Sequence, residues 1–341
     1  MARVTRPFTA ISFSSSGVLF IGQMGVYCRL YEAGILSQVT DYYGCSGGSL
    51  AAYLCVLGVT PAWIREWVQH FDTRPIMNIQ EDLIVDYLTS WGVDSGAQAI
   101  NYMSKFADTW EPGASKWTFA DLARERPGRR FCVTATNVSM GQQEVFSVDT
   151  HPVMRIVDAL RASCGVPFYL TPWVDPSSGH IFCDGAILEL MPTACVRDPA
   201  STLFIMCKNE SESDKHPTSL GEYIHKLVRL MIKDKISHEL DNVLHAGSCG
   251  ITPLNFMISK EDRLRIFTSG LADGLRWLRQ HFPGETAEIP PLSGAPHTLS
   301  ADCPSAESVS DIHRSETPLP SRVPSQDLLP PSSRRSRRWS Y

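Results

Sequence analysis

The stretch DYYGCSGGSL, Asp41 to Leu50, holds Gly44-Cys45-Ser46-Gly47-Gly48 between a β-forming run and an apolar helical one. Its spacing is G-x-S-x-G, that of a serine on a tight turn between a strand and a helix. Three fixed positions are a weak signal, and a plain strand-to-helix turn satisfies them too. The surroundings favour more than that. Glycines on both sides permit a strained backbone at Ser46. The helix that starts at once aims its free N–H groups at whatever sits beside the serine.

The neighbouring segments continue the alternation. TAISFS, before it, is a short buried strand. IGQMGVYCRLYEAGI has helical apolar spacing and stops at Gly34. SQVTDYY is a second strand, and GSLAAYLCVLG is a helix closed by Gly58. TPAWIREWVQHF opens a helix with Thr60 as N-cap and Pro61 in its first turn. Residues 81–110 are helical by period. RFCVTATNV and QEVFSV read as strands joined by a turn, and VDALRASCG as a helix leading to Pro167. HIFCDGAI and STLFIMCK are further strands, and SLGEYIHKLVRLMIKDKISHELDNVL is a long amphipathic helix. Strands alternating with helices call for an α/β fold with a central, mostly parallel sheet covered on both faces. Chemistry in such sheets gathers at the carboxyl ends of strands, where Ser46 falls.

One domain is expected over 9–283. From 284 to 341 the chain is rich in Pro and Ser and nearly free of aromatics, so a disordered tail is expected, with a basic end at Arg334, Arg335, Arg337 and Arg338. The 341 residues carry a net charge of -5, which gives no global reason to bind nucleic acid. Ten cysteines are scattered with no C-x-x-C pair, which argues against zinc and for a reducing compartment. No signal-peptide h-region opens the chain, and no run reaches the ~18 apolar residues of a membrane span. A cytoplasmic protein, at most peripheral on membranes, is the expectation.

A serine nucleophile needs a base. The ten histidines supply no clear partner: His151 looks like loop, and His180 starts a strand. His225, His238 and His245 read as the polar side of a helix, and His297 and His313 lie in the tail. An aspartate within hydrogen-bond reach can do the same work. Asp184, in FCDGAI, ends an apolar strand, where a bare carboxylate costs desolvation energy unless it has a task or partners. Gly185 and Ala186 leave space beside it. Capping the next turn is the plainer role for an Asp before Gly.

Four blocks in order, FSSSGVLFIGQMGVYCRLYEAGIL, YGCSGGSLAAYLCVLGVTP, VTATNVSMGQQEVFS and VDALRASCGVPFYLTPW…FCDGAILELMP, resemble patatin-like phospholipases from about Ile11 to Lys208. The resemblance implies a three-layer α/β/α sandwich and a dyad of Ser46 as nucleophile with Asp184 as proton acceptor in the D-G-[GA] motif, Asp184-Gly185-Ala186. It also implies an oxyanion loop at Ser15, Ser16, Gly17 and Val18. The family's G-G-G-x-R-G falls on Ser15-Ser16-Gly17-Val18-Leu19-Phe20, and only Gly17 is kept. Backbone N–H groups build an oxyanion hole, so side chains there can vary. Phe20 replaces a glycine, and a bulky residue disfavours positive φ. A lipid acyl hydrolase is expected, acting on phospholipids or acylglycerols of a membrane or lipid droplet, with no metal or cofactor. The alternatives are a lipid-binding pseudoenzyme, an acyltransferase with the same dyad and, last, a Ser-His-Asp esterase. Trp63, Trp67, Trp91, Trp110 and Trp117 are candidates for an acyl pocket or an interfacial face, though tryptophans at helical spacing are most often core. HKLVRLMIKDKI is suited to a membrane surface or to covering the sheet.

Overall fold

Runs of two to eight residues, most of them with β-branched or aromatic side chains, build the middle layer. A computed structural model describes residues 8–76, 78–208 and 240–282, together with 216, 223, 226, 227, 230 and 231. Its strands are β1 (Ala10–Phe13), β2 (Asp41–Cys45), β3 (Arg130–Asn137), β4 (Gln142–Ser147), β5 (Trp173–Val174), β6 (Ile181–Cys183), β7 (Thr202–Lys208) and β8 (Val243–Gly247). They form one sheet in the order β5-β6-β3-β2-β1-β7-β8, with β4 also paired to β3. β3, β2, β1, β7 and β8 run parallel. β4, β5 and β6 add antiparallel pairings at one side. The architecture is the α/β layering expected, a mostly parallel sheet with helices on both sides.

Side chains alternate across that sheet with the strand period of two. Ile11, Phe13, Leu203, Ile205, Leu244 and Ala246 enter the main core. Ala10, Tyr43 and Cys132 face the other way, as do Phe204 and Met206 with Met191. The helices are α1 (Phe20–Glu32), α2 (Gly47–Leu57), α3 (Pro61–His70), α4 (Glu81–Val85), α5 (Tyr87–Ser90), α6 (Ala97–Trp110), α7 (Phe119–Glu125), α8 (Ile156–Ser163) and α9 (Lys260–His281). α1 is buried from Phe20 through Leu30, so it has no solvent face to keep polar. It packs lengthwise on α9, and small residues let the two backbones touch. A methyl on Gly270 would lie 2.0 Å from the Gly22 carbonyl oxygen, and one on Gly25 2.3 Å from that of Phe267.

Three features depart from the reading of the sequence. Residues 81–110 are not continuous helix: Trp91 and Gly96 adopt left-handed φ values of 57° and 73°, ending α5 and preceding α6. His245 lies in β8 with its side chain exposed, not on the polar side of a helix. α9 is a further helix beyond those the sequence pattern marks: Ser259 caps it by accepting from the Asp262 N–H, and Arg279 and His281 complement its carboxyl end. The tail at 284–341, HKLVRLMIKDKI for the most part, and His225, His238, His297 and His313 lie outside the described residues. The nine described cysteines are free thiols. Among the described residues no helix is long and apolar enough to cross a membrane.

Candidate active site

The parallel strand β2, between β3 and β1, delivers Ser46 to the carboxyl end of the sheet in a conformation few residues adopt, φ 50° and ψ -128°. The surrounding glycines explain how the chain tolerates it. A methyl on Gly44 would meet the Gly48 carbonyl oxygen at 2.5 Å. One on Gly47 would meet the Gly17 carbonyl oxygen at 2.4 Å, and one on Gly48 that of Ser14 at 2.3 Å. All three positions are backbone against backbone, so only glycine fits. The turn is pinned further by Ser163 at the end of α8. Its Oγ accepts from the Ser46 N–H at 2.8 Å and donates to the Thr134 carbonyl at 2.7 Å. Ser49 donates to the Ser46 carbonyl at 2.6 Å.

Asp184 arrives from the other side by strand geometry. Thr134 of β3 pairs with Cys45 on one edge and Val145 on the other. Two residues later Thr136 pairs with Gln143 and with Cys183, so β6 takes the edge that β2 has just vacated. Because β6 runs antiparallel, its next residue turns back toward the end of β2. The Ser46 Oγ donates to Asp184 Oδ2 at 2.6 Å. Oδ1 accepts the Ala186 N–H at 2.9 Å, which is also the turn-capping role expected of an Asp before Gly. Thr136 Oγ1 donates to the Asp184 carbonyl at 2.9 Å, and the Asp184 N–H donates to the Gly165 carbonyl at 2.9 Å. Gly185 fits because a methyl there would sit 2.5 Å from the Thr134 carbonyl oxygen.

Asp184 as a whole is 3% exposed. Burial raises its pKa to about 6; the hydrogen bonds from Ser46 and Ala186 oppose that rise and only partly offset it. No described histidine is placed to compete for the serine. His180 Nδ1 lies 3.3 Å from Asn137 Nδ2, His151 packs edge-on against Phe146, and His281 meets the Trp277 carbonyl.

The segment Ser15 to Val18 lies directly beside the turn. The Ser15 N–H donates to the Leu190 carbonyl at 2.8 Å, and the Val18 N–H to that of Pro253 at 2.9 Å. Gly17 has a positive φ of 52°. Phe20, in contrast, is right-handed helical at φ -55° and ψ -23°, so the bulky residue carries none of the strain expected of it. The loop is tied down by Gln23, a buried residue that sequence reading did not single out. Its Nε2 donates to the Ser14 carbonyl at 3.0 Å, and its Oε1 accepts from Ser16 Oγ at 3.1 Å. A lone glutamine in an apolar helix leaves no motif by which to find it.

Ser46 opens into a cavity whose walls are almost wholly apolar, among them Phe20, Trp67, Phe71, Phe106 and Leu254. Of the tryptophans singled out, Trp67 lines this space, and Trp63 and Trp110 pack behind it. Trp117 lies under the Arg126 guanidinium, and Trp91 is exposed. Arg161 is the charged exception in the cavity wall. Its Nη2 donates to the Ser95 and Thr171 carbonyls, and burial lowers its pKa from the ordinary arginine value.

A model of patatin-like phospholipases matches residues 11–194, more than half of the chain. The chain belongs to the patatin-like phospholipase family. Among its relatives is the probable lipid hydrolase 463L of Invertebrate iridescent virus 6, 22% identical over 157 residues that make up 46% of this chain and 53% of that one. The chain thus spans about half the length of that curated relative. Among solved structures it is similar to VipD from Legionella pneumophila, with a TM-score of 0.57 and 16% identity over 81% of this chain and 67% of that one. ExoU in its complex with SpcU from Pseudomonas aeruginosa gives a TM-score of 0.43 and 16% identity, over 81% and 52% of the two chains. The likeness to VipD shows a shared fold, and the family match agrees with it.

Proposed function

We propose that this patatin-like chain is a lipid acyl hydrolase in which Ser46 is the nucleophile and Asp184 the base. The observation that carries this reading is the 2.6 Å bond from Ser46 Oγ to Asp184 Oδ2 at the mouth of an apolar cavity. Ser46 Oγ attacks the ester carbonyl carbon while its proton passes to Asp184. The carbonyl π electrons move onto oxygen. Collapse of that adduct expels the lipid alcohol, which takes the proton from Asp184 and leaves an acyl-serine. Water then gives its proton to Asp184 and attacks the acyl carbon, and the second collapse releases the fatty acid and returns the proton to Ser46. The apolar walls hold the acyl chain and exclude stray water.

The oxyanion needs backbone donors. Gly17 and Val18 are assigned this role, with Gly47 beside them, since a methyl on Gly47 would lie 2.7 Å from the Gly17 nitrogen. Ser15 and Ser16 shape the loop. Val18 serves only after the Pro253 carbonyl withdraws from it. That same contact favours the rival reading, a lipid-binding protein with little turnover.

Fatty-acid release from mixed phospholipid and triacylglycerol vesicles by wild type, Ser46→Ala and Asp184→Asn tests the assignment, alongside labelling by a serine-directed fluorophosphonate. Release and labelling by wild type, both lost in Ser46→Ala, are the expected results. Vesicle binding without release or labelling supports the rival. Every step uses groups of this chain alone, so release is expected to persist in EDTA.

A further inference from the structure

The segment from Ile79 to Trp91 is built unlike the rest of the described chain. Its two short helices, α4 and α5, contain no buried residue. The segment nevertheless carries some of the most exposed apolar side chains among the described residues: Val85 at 84%, Leu88 at 89% and Trp91 at 54%, with Ile79 and Ile84 above half. Ile84 and Val85 close α4, Leu88 lies in α5, and Trp91 caps α5. Helices this short have little stability of their own and usually fold by burying apolar side chains. Here no described residue covers them. A patch of this kind marks a contact surface.

Its anchorage says where that surface delivers what it binds. The segment is closed at its neck, where the Gln80 N–H donates to the Val93 carbonyl at 2.8 Å. The Val93 and Asp94 N–H groups then donate to the Tyr169 carbonyl, and Gly92 is so close to Leu170 that a methyl on it would lie 2.7 Å from the Leu170 oxygen. Tyr169 and Leu170 line the cavity that holds Ser46. Phe168, before them, is itself 41% exposed and held at a positive φ of 71°. The segment that carries the apolar side chains is therefore tied through its backbone to the residues of the cavity wall.

Charge selects the partner. Between Arg74 and Lys105 the chain has no lysine or arginine, while Glu81, Asp82 and Asp86 are all exposed on α4 and at its end. An anionic surface would be repelled, whereas a zwitterionic one accepts apolar insertion without that cost. Resting on the hydrolase reading above, we infer that Ile79 to Trp91 is the lipid-docking face of this protein and that it inserts into a zwitterionic, phosphatidylcholine-type surface. The patch brings the cavity mouth to the acyl layer, so that a chain can slide from lipid to Ser46.

Flotation of the full-length chain with phosphatidylcholine vesicles at physiological salt tests this. A Ser46→Ala background leaves the vesicles intact and makes the outcome independent of turnover. The expected result is that the Ser46→Ala protein floats, with little loss at higher salt, and that adding Val85→Ser and Leu88→Ser lowers partitioning at least about tenfold. Both side chains are exposed, so thermal unfolding should hardly move, and a check of it separates docking from misfolding. Three results would each overturn the inference: no flotation of the parent, equal flotation of the substituted protein, or a patch whose substitution breaks a dimer in gel filtration and leaves flotation unchanged. Failure of the hydrolase reading would appear elsewhere, as unlabelled Ser46 in a protein that still floats.

Discussion

The two sides of the site are built by different means. On the Ser46 side, Gly44 presses against the backbone that opens α2, Gly48 against the backbone that ends β1, and Ser163 ties the turn to β3. Nothing there can move without disturbing the sheet. Across from it, Ser15 to Val18 is held by individual hydrogen bonds, one of them to Pro253 in the irregular segment between β8 and α9. That segment has modest anchors of its own, notably Thr73 Oγ1 donating to the Phe256 carbonyl and the buried Ile258. The position of the hydroxyl is thus a property of the fold, while the position of the amide donors depends on a local, adjustable contact. A nucleophile can be placed well in a protein whose rate is limited by the opposite wall.

The most drastic way to break this contrast is to remove the reacting groups. Ser46→Ala and Asp184→Asn are each expected to lower kcat for fatty-acid release by about a thousandfold or more, with both proteins folded by circular dichroism. Gly44→Ala and Gly48→Ala attack the rigid side through its packing. Each should destabilise the fold by about 3 kcal/mol or more, read as a lower thermal midpoint, since backbone cannot yield to a methyl within 2.5 Å.

Asp184 adds a charge signature. Its raised pKa means that the native state favours the protonated acid, so its contribution to stability is complete below pH 3.8 and is lost as pH rises through about 6. The difference corresponds to about 3 kcal/mol. Asp184→Asn should accordingly be more stable than wild type at pH 8, with the advantage fading toward pH 4, in paired denaturant titrations. Activity of the wild type should rise with pH through about 6, because the base must be ionised.

Smaller effects sharpen the comparison. Ser163→Ala frees the Ser46 N–H and should cost about tenfold to a hundredfold in kcat, more than an equal loss of stability alone would produce. Thr73→Val, which loosens the Pro253 segment from a distance, should raise turnover of a soluble ester a few-fold while lowering stability by about 1 kcal/mol. No change in turnover would mean that the Pro253 contact does not restrain the donors.

Much of this was readable from local signals. The helix after Ser46, closed by Gly58, and the cap at Thr60 match the sequence reading; the strand before Ser46 is present but runs Asp41–Cys45, later than SQVTDYY places it. These depend on propensity, periodicity and turn chemistry, which act between near neighbours. Ser163, Gln23 and Thr136 left no such trace. Each is a common polar residue whose role exists only because its partner is more than a few residues away in sequence. The break at Trp91 went unseen for a related reason, since helical period continues through it and only the bonds to Tyr169 show why the chain must turn.

From the residues alone, then, came an alternating α/β chain, a glycine-flanked serine at a strand end, and an aspartate at the end of a later strand. What brings Ser46 and Asp184 within 2.6 Å is the register of β3, which pairs with β2 as far as Thr134 and with β6 from Thr136 onward. Pairing of that kind joins segments 138 residues apart and is settled by packing the whole sheet, not by either segment. The same holds for the cavity, for the Pro253 contact and for the exposed face at Ile79 to Trp91. Periodicity marks a side chain as apolar, but whether it ends in core, cavity or solvent depends on which surfaces the folded chain leaves open.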